Sequence, residues 1–167
     1  NTVMFAGLSA PQYNGNITEE GWKSGYDEYL RGFSFVYDKA NRMKGSIYAY
    51  LGANDYGPQW IFTKRYQEDN IHYDHNGNLL TLDRYHGDWN KIDYLNYKNY
   101  KGNRLSRVED WSGNNSPVGF HDTNDGSGYD YYYDANGNSV FDLNKGSMAI
   151  TYNYLNLPVT VSIPNKG

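Results

Sequence analysis

The side chains with the clearest potential for chemistry are the histidines and the carboxylates beside them. His72 and His75 flank the pair Tyr73–Asp74, and His121 precedes Asp122. Such pairs could bind a metal ion or form a His–Asp dyad, because imidazole titrates near neutral pH and ligates metals. A protein metal site needs three or four ligands, and no third ligand lies close in sequence. The pattern therefore favours solvent-facing turn histidines and predicts neither a metal nor a cofactor.

The stretch 122–130 is rich in Asp, Asn and Gly and has the composition of a calcium loop. An EF-hand loop places Gly sixth, after oxygen ligands at positions one, three and five, and closes with Glu. Counted from Asp122, Gly126 comes fifth, and no Glu closes the loop. A polar surface insertion is therefore the better interpretation.

Acidic residues occur as sequence neighbours at Glu19–Glu20, Glu68–Asp69 and Glu109–Asp110. A glycosidase needs two carboxylates that face each other across a cleft, whereas neighbours on a strand point to opposite faces of the sheet. The serines lack a G-x-S-x-G motif, and the glycine-rich turns lack the nucleotide-binding patterns. The sequence thus predicts that the protein is not an enzyme.

Four tryptophans lie in or beside the Gly- and Asn-rich connections: Trp22, Trp60, Trp89 and Trp111. Exposed aromatic rings next to Asn and Asp suit a saccharide, because the ring stacks on a sugar face while amides bind hydroxyls. The competing interpretation is that these rings cover the open strand edges of a repeat array. Edge covering is the favoured interpretation, and carbohydrate binding by the four residues is the alternative.

The composition limits the class of protein. The chain has 167 residues with 19 Tyr, 18 Gly and a net charge of −4, and 17% of its residues are aromatic. These values argue against disorder and indicate a single domain over residues 1–167. The 15 Lys and Arg form no dense basic run, so nucleic acid is not an expected partner. No apolar stretch is long enough to predict membrane insertion. Because the first residue is Asn, we expect a fragment of a longer chain.

Strand periodicity dominates the chain. Apolar and aromatic residues alternate with polar ones in several runs, which predicts strands with one buried face: Phe33–Tyr37, Met43–Ala49, Tyr129–Tyr133, Met148–Tyr154 and Leu157–Ile163. The best helical candidate, Glu19–Arg31, contains two glycines and predicts one or two turns at most. The polar stretches Gly52–Gln59 and Trp111–Gly128 are predicted to be surface insertions.

A short repeated sequence motif, here called the word, connects these runs. The stretches Tyr73–Leu79 and Tyr133–Ser139 share the pattern Y-D-x-N-G-N, and looser copies begin at Tyr13, Tyr37, Tyr97 and Tyr152. Asp can accept hydrogen bonds from turn amides, and Asn-Gly supplies the positive φ angles of a tight hairpin. The residues assigned to this structural motif are Tyr37, Asp38, Tyr73, Asp74, Gly77, Asn78, Tyr97, Gly102, Asn103, Tyr133, Asp134, Gly137, Asn138 and Tyr152.

Each copy of the word predicts a strand–turn–strand unit. Since a lone hairpin is unstable in water, successive hairpins must pair edge to edge. The predicted fold is therefore all-β, with consecutive antiparallel hairpins in a curved, extended or partly wrapped sheet. We expect the five motif tyrosines to point into one shared core, and the motif aspartates to bind turn amides.

The word resembles the tyrosine–aspartate (YD) repeat of the RHS family, which includes bacterial polymorphic toxins, insecticidal toxin complexes and animal teneurins. The closing stretch 150–158, Ile-Thr-Tyr-Asn-Tyr-Leu-Asn-Leu-Pro, is similar to a segment common in family members from Bacteroidetes, as is the stretch from Gln12 to Lys23. The resemblance implies an all-β strip or shell of hairpins in a secreted or cell-surface bacterial protein. The self-cleaving core segment and the effector domain of full-length members have no counterpart here, so closure into a chamber and self-cleavage are not carried over.

Together these observations predict a non-enzymatic structural segment that forms part of the wall of an encapsulating shell. The alternative is a carbohydrate-binding module that uses the exposed Trp and Tyr of the insertions. The expected partners are a carbohydrate or another part of the parent polypeptide, and open strand edges predict self-association.

Overall fold

The computed structural model describes residues 10–26, 29–54, 57–113, 117–123, 128–146 and 148–164. Within them the chain forms eleven strands and one 3-10 turn, Leu143–Lys145. The strands are β1 (Glu19–Lys23), β2 (Leu30–Tyr37), β3 (Met43–Asn54), β4 (Gly57–Tyr73), β5 (Leu79–Tyr85), β6 (Lys91–Lys98), β7 (Arg107–Asp110), β8 (Tyr131–Tyr133), β9 (Ser139–Asp142), β10 (Met148–Tyr152) and β11 (Pro158–Ser162).

These strands form two antiparallel sheets of consecutive hairpins. Strands β1 to β7 lie side by side in sequence order, and a second sheet has the order β11-β10-β9-β8. The prediction of an all-β fold built from successive hairpins is therefore confirmed. The described residues contain no helix that is long and apolar enough to cross a membrane.

The contacts divide the chain into two compact units. Unit 1 comprises Asn1–His72 and Leu82–Lys91, and unit 2 comprises Tyr73–Thr81 and Ile92–Gly167. In unit 1 the buried residues other than glycine are Ser34, Ser46, Tyr48, Ala49, Ile71 and Asp83. In unit 2 they are Ile92, Asp93, Leu95, Val108, Asp130 and Asn144. Each buried set mixes small apolar cores with hydrogen-bonding side chains; for example, Asp130 accepts a 2.7 Å bond from the Val108 amide.

The stretch Glu19–Arg31, where at most one or two helical turns are predicted, contains no helix in its described residues. Glu19–Lys23 forms β1, and Trp22 pairs with Arg31 at the start of β2. Pairing with a neighbouring strand overrides a helical tendency that glycines had already weakened.

The predicted insertion at Gly52–Gln59 is also corrected. Gly52 pairs with Gln59 and Asn54 with Gly57, so this stretch continues the long β3–β4 hairpin. Of the second insertion, the described parts 111–113, 117–123 and residue 128 contain no strand.

A wide bulge interrupts the pairing of β3 with β4. Ser46 pairs with Glu68 and Tyr48 with Thr63, so residues 64–67 of β4 lie opposite one residue of β3. Within this bulge Tyr66 has a φ of 53°. A bulge bends its strand and redirects side chains, and here it brings Tyr66 to a cluster of aromatic rings.

Candidate functional site

The repeated word folds into one recurring turn. The Asp74 amide donates to the Asn78 carbonyl at 2.9 Å, and the Gly77 amide donates to the Asp74 carbonyl at 3.1 Å. Gly77 has a φ of 85° and Gly137 one of 91°, whereas the preceding asparagines are not at positive φ. The turn is therefore a type I turn followed by one left-handed residue. The prediction that both residues of Asn-Gly supply positive φ is wrong, since only the glycine does.

The aspartate of the word holds this turn, as predicted. Asp134 Oδ1 accepts from the amides of Asn136 at 3.0 Å and Asn138 at 2.9 Å. Asp38 and Asp74 accept from the equivalent amides at 2.8 to 3.0 Å. The hydrogen bond from the Asn138 side chain, with those from the two amides, lowers the pKa of Asp134 despite partial burial. The pKa values of Asp38 and Asp74 are lowered as well.

The tyrosine of the word forms a latch, by which we mean a hydrogen bond from its hydroxyl to the backbone of the preceding word. Tyr37 donates to the Ile17 carbonyl at 2.8 Å, and Tyr152 donates to the Ser139 carbonyl at 2.8 Å. Two further latches join Tyr100 to Leu79 at 2.8 Å and Tyr133 to Leu105 at 2.7 Å. In all four, the acceptor is the residue that follows the turn of the preceding word.

Of the five motif tyrosines, Tyr37, Tyr133 and Tyr152 form latches, and none of the five is a core residue. The five predicted residues, Tyr37, Tyr73, Tyr97, Tyr133 and Tyr152, are all half-buried and none belongs to the buried set. Four of them lie in unit 2 and one in unit 1, so the expectation of one shared core is wrong. Each latch hydroxyl must reach a carbonyl at the end of a strand, which keeps the ring near the turn.

Hydrogen bonds from asparagine side chains also connect successive words. Asn14 donates to Asn41 Oδ1 at 2.6 Å, Asn78 to the Gly102 carbonyl at 3.1 Å, and Asn138 to Asn156 Oδ1 at 2.8 Å. The acceptors Asn41, Gly102 and Asn156 all have φ near 60°. In these three cases the left-handed residue of one word accepts a hydrogen bond from a side-chain amide of the preceding word.

Two details of the repeat differ from the sequence assignment. In the fourth word the latch comes from Tyr100, while Tyr97 lies within β6, and Gly102 and Asn103 form the tight turn between Lys101 and Arg104. A further turn with the same backbone bonds runs from His86 to Asn90. The sequence pattern missed it because His replaces Asp and Trp89 replaces Gly. Tyr85 and Asn90 keep the first and last residues of the pattern Y-D-x-N-G-N.

A second feature is a groove on unit 1 with a volume of about 750 Å³, here called the aromatic groove. It is lined by Trp22, Tyr29, Arg31, Phe33, Tyr48, Tyr50, Arg65 and Tyr66. Cross-strand pairs place Trp22 opposite Arg31, and Phe33 opposite Tyr48. Because side chains alternate along a strand, these residues share one face of β1, β2 and β3.

The rings of the groove support one another. Trp22 stacks on Phe33 with 5.6 Å between ring centroids, and Phe33 meets Tyr48 edge-on at 5.5 Å. Tyr66 contacts Tyr48 at 5.6 Å in a T-shaped arrangement. Tyr48 is buried beneath them, whereas Trp22 and Tyr66 are 36% and 53% exposed. The buried Tyr48 and the half-buried Phe33 therefore fix the exposed rings, which keep apolar faces in contact with solvent.

Tyr66 is held in a strained conformation. A positive φ is unfavourable for a bulky residue and persists only where the surroundings enforce it. Its ring tip lies so close to Gly87 that a Cβ at position 87 would fall 2.4 Å from the Tyr66 hydroxyl oxygen. Trp89, in the same turn as Gly87, is strained likewise, with a φ of 72°.

The charged residues among the described lining residues are Arg31 and Arg65. The Arg65 guanidinium lies 5.0 Å from the centre of the Trp89 ring, and its Nε is buried without a hydrogen-bond acceptor. Arg31 lies 5.8 Å from the centre of the Tyr29 ring and donates to the Tyr29 carbonyl at 3.3 Å. The groove thus combines exposed aromatic faces with two cationic side chains.

No family model, curated protein or solved structure matches this chain.

The four predicted tryptophans are not brought together. Trp22 lines the aromatic groove, and Trp89, which is not among the lining residues, packs on Arg65. Trp60 is half-buried in β4 opposite Leu51. Trp111 belongs to unit 2, where Lys98 lies 4.8 Å from the ring centre and Glu109 accepts from Nε1 at 3.0 Å. Its ring is therefore already partnered by charged side chains.

The histidines are not among the residues that line the aromatic groove. His75 and His121 are exposed, and His72 Nδ1 lies 3.0 Å from the Asn70 carbonyl oxygen. Across the described parts of the chain, no three His, Asp or Glu side chains are grouped as metal ligands. Residues 124–127 of the stretch compared with a calcium loop lie outside the described residues.

Proposed function

We propose that this chain is a non-enzymatic structural segment of an RHS-like hairpin-repeat protein that is secreted or exposed at the cell surface, the location that the family resemblance implies. Its role is to supply part of a wall. The observation that carries the proposal is the latch, in which the tyrosine hydroxyl of one word bonds to the carbonyl that follows the preceding turn.

The latch supports this role because one word can be both donor and acceptor. The fourth word donates through Tyr100 and accepts at Leu105. The next word donates through Tyr133 and accepts at Ser139. In the last word, which turns at Asn153–Leu157, the equivalent acceptor position is Pro158. Such a series can continue for as many words as the chain provides, as in other repeat proteins.

The terminal strand β11 supports continuation as well. All five of its residues are exposed, and Val159 and Val161 are 63% and 59% exposed. Natural edge strands are usually protected by charged residues or bulges, and β11 contains no charged residue. Another hairpin, from the parent polypeptide or a second copy, would cover these valines.

The test is to extend the chain. A second copy of residues 129–163, appended after Gly167, places the new copy of Tyr133 at position 172, which is 20 residues after Tyr152; 19 residues separate Tyr133 from Tyr152. We expect the midpoint of urea unfolding to rise, because the new hairpin adds a nearest-neighbour interface. The control carries the appended residues in shuffled order. Equal midpoints for the two extensions would reject the proposal.

A second candidate function, saccharide binding, is favoured by the aromatic groove. Exposed rings fixed by packing suit the stacking of pyranose faces, and the volume of about 750 Å³ is in the usual range for ligand sites. A glycan array tests this function with Trp22→Ala as the groove variant. Trp111→Ala is the matched control, since it removes an equally large ring outside the groove. Binding that survives Trp22→Ala, or no binding at all, would reject it.

A further inference from the structure

We infer that Asn76 is a site of spontaneous modification, at which the side-chain amide is lost as ammonia and the residue becomes aspartate or isoaspartate. Asparagine is a chemically labile residue, and it is most exposed to this reaction when glycine follows, because glycine lets the backbone approach closely. The chain contains three such pairs: Asn14–Gly15, Asn76–Gly77 and Asn136–Gly137. Their surroundings distinguish the pair at Asn76 from the other two.

The reaction consumes water and needs no other reagent. The backbone nitrogen of Gly77 attacks the side-chain carbonyl carbon Cγ of Asn76, and the bond from Cγ to Nδ2 breaks. The proton lost from the glycine nitrogen leaves with the ammonia, and the product is a five-membered cyclic imide. Water then adds to one of the two imide carbonyls and breaks its bond to nitrogen, which gives aspartate or isoaspartate.

The side-chain amides of the other two pairs are bonded to the following word. The Asn14 amide donates to Asn41 Oδ1 at 2.6 Å, and the Asn136 amide donates to Asn156 Oδ1 at 3.0 Å. The acceptors are the left-handed residues of their words, with φ angles of 62° and 59°. Each bond must break before Cγ can turn towards the glycine nitrogen, so each bond slows the reaction.

Asn76 lacks such a bond because the following word has glycine at the left-handed position. Gly102 has a φ of 63° and carries no side-chain oxygen. The Asn76 side chain is exposed, and across the described ranges the bond that this residue forms comes from its backbone amide, which donates to Asp74 Oδ1. The side-chain amide of Asn76 is therefore free to rotate.

The turns themselves do not distinguish the two exact copies of the word. The Gly77 and Gly137 amides each donate to the aspartate carbonyl at 3.1 Å. Either bond must open before the nitrogen can attack, so both reactions are slowed alike. The preceding residue does differ, since His75 stands where the other word has Ala135, and an imidazole can transfer protons. The experiment must therefore separate the effect of His75 from that of Gly102.

Modification at Asn76 alters the turn between β4 and β5. Isoaspartate carries the chain through its side-chain carbonyl and so lengthens the backbone, and either product places a new carboxylate near Asp74. Asp74 Oδ1 accepts from the amides of Asn76 and Asn78, both at 2.8 Å, and a lengthened backbone disturbs this spacing. The third word is therefore the one that loosens as the protein ages.

The experiment follows the whole chain during incubation at mildly alkaline pH, because base removes the amide proton of the attacking nitrogen. Peptide mapping by mass spectrometry measures the conversion of Asn76 and Asn136 in the same sample. We expect Asn76 to convert about five-fold faster, the factor that one ordinary hydrogen bond supplies. In guanidinium chloride, where the turns are unfolded, the two rates should be equal.

Two reciprocal variants test the partner of the amide. Asn156→Gly removes the acceptor of Asn136 and should raise the rate at Asn136 by about five-fold. Gly102→Asn supplies the missing acceptor and should lower the rate at Asn76 by about five-fold. Asparagine tolerates the left-handed conformation, and a Cβ at Gly102 would meet nothing within 4 Å. His75→Ala should leave Asn76 the faster site.

Each variant carries its own reference, since the word that is not altered should keep its wild-type rate, and circular dichroism checks that the chain is folded. Equal rates at Asn76 and Asn136 in the folded wild type would overturn the inference. So would a difference that persists in guanidinium chloride or disappears in His75→Ala, because the neighbouring residue would then be its cause. Wild-type rates in both reciprocal variants would show that the following word does not protect the amide and would overturn the inference as well.

Discussion

The tyrosine hydroxyl is the group that connects one word to the next. A phenylalanine would fill the same space but would leave the carbonyls of Leu79, Leu105 and Ser139 without this donor. A buried acceptor without a partner costs free energy. The conservation of tyrosine among the words of this chain, rather than of any aromatic residue, follows from that cost.

The hydroxyl must stay protonated to donate, and its surroundings favour this state. Burial raises the pKa of Tyr100 to about 12 and also raises the pKa of Tyr133. A phenol whose pKa is raised by folding stabilises the folded state fully below its unfolded pKa of about 10. That contribution is lost as the pH rises through the folded pKa.

We therefore expect an alkaline transition that depends on Tyr100. Unfolding followed by circular dichroism from pH 9 to pH 12 should show loss of stability above about pH 10. In Tyr100→Phe this part of the pH dependence should be smaller, although the variant is less stable at neutral pH. An unchanged alkaline profile in Tyr100→Phe would contradict this account of the latch.

Because of the aspartate in the word, we expect the folded state to lose stability at low pH. Because the pKa of Asp134 is lowered in the folded state, its contribution to stability is present above the unfolded pKa of about 3.9 and is lost as the pH falls through the folded pKa. The last word carries Asn153 at this position, and its Oδ1 accepts from the amides of Leu155 and Leu157 without a charge.

Asp134→Asn should therefore keep the turn and lose part of the acid sensitivity. The measurement is the melting temperature from pH 2 to pH 7, with Asp134→Ala as the comparison that removes the acceptor altogether. We expect the Asn variant to be more stable than the Ala variant at pH 7 and to depend less on pH than the wild type. Identical acid profiles for the wild type and Asp134→Asn would contradict the role of the charge.

At the scale of the element, the left-handed residue determines where each hairpin turns. Gly137 has a φ of 91°, a conformation that a side chain disfavours. Gly137→Ala should lower the free energy of unfolding by about 1 kcal/mol. The matched control is Gly25→Ala, because Gly25 is not left-handed and a Cβ there would meet nothing within 4 Å. Urea unfolding measures both, and equal effects would contradict the account of the turn.

The hairpins were predictable where their chemistry is local. Tyr-Asp followed by Asn-Gly specifies a turn from a few adjacent residues, and the turns at Asp74 and Asp134 form as the words predict. The turn at Trp89 was not predictable. A bulky residue disfavours the left-handed conformation that this turn requires, and the contact between Trp89 and Arg65 cannot be read from the local sequence. Strand β1 was missed for a similar reason, because it depends on pairing with residues 30–34.

The groove needed information that the sequence pattern does not carry. The tryptophans pointed to Trp22, but Tyr66 enters the site only because the bulge at residues 64–67 turns it there. Arg65 lies in the same bulge and lines the groove with Tyr66. A local pattern reports which face a regular strand buries, and it fails where the strand is irregular.

At the scale of the whole molecule, stability is distributed over many similar links. Among the residues that the structure describes, few aliphatic side chains are buried, and buried aspartates and repeated turns contribute in place of a large apolar core. Latches that share no partner should contribute additively, as distant sites usually do. The substitution of several latch tyrosines should then lower stability in steps.

The most direct test of the latch is a urea unfolding series. Tyr100→Phe, Tyr133→Phe and Tyr152→Phe each remove one latch hydroxyl, and each should lower the free energy of unfolding by about 1 kcal/mol. Tyr154→Phe is the control, because Tyr154 is 91% exposed and forms no latch. The triple variant should lose about the sum of the three effects. If the three latch variants unfold at the same urea concentration as Tyr154→Phe, the latch does not hold the hairpins together, and the proposed repeat architecture is contradicted.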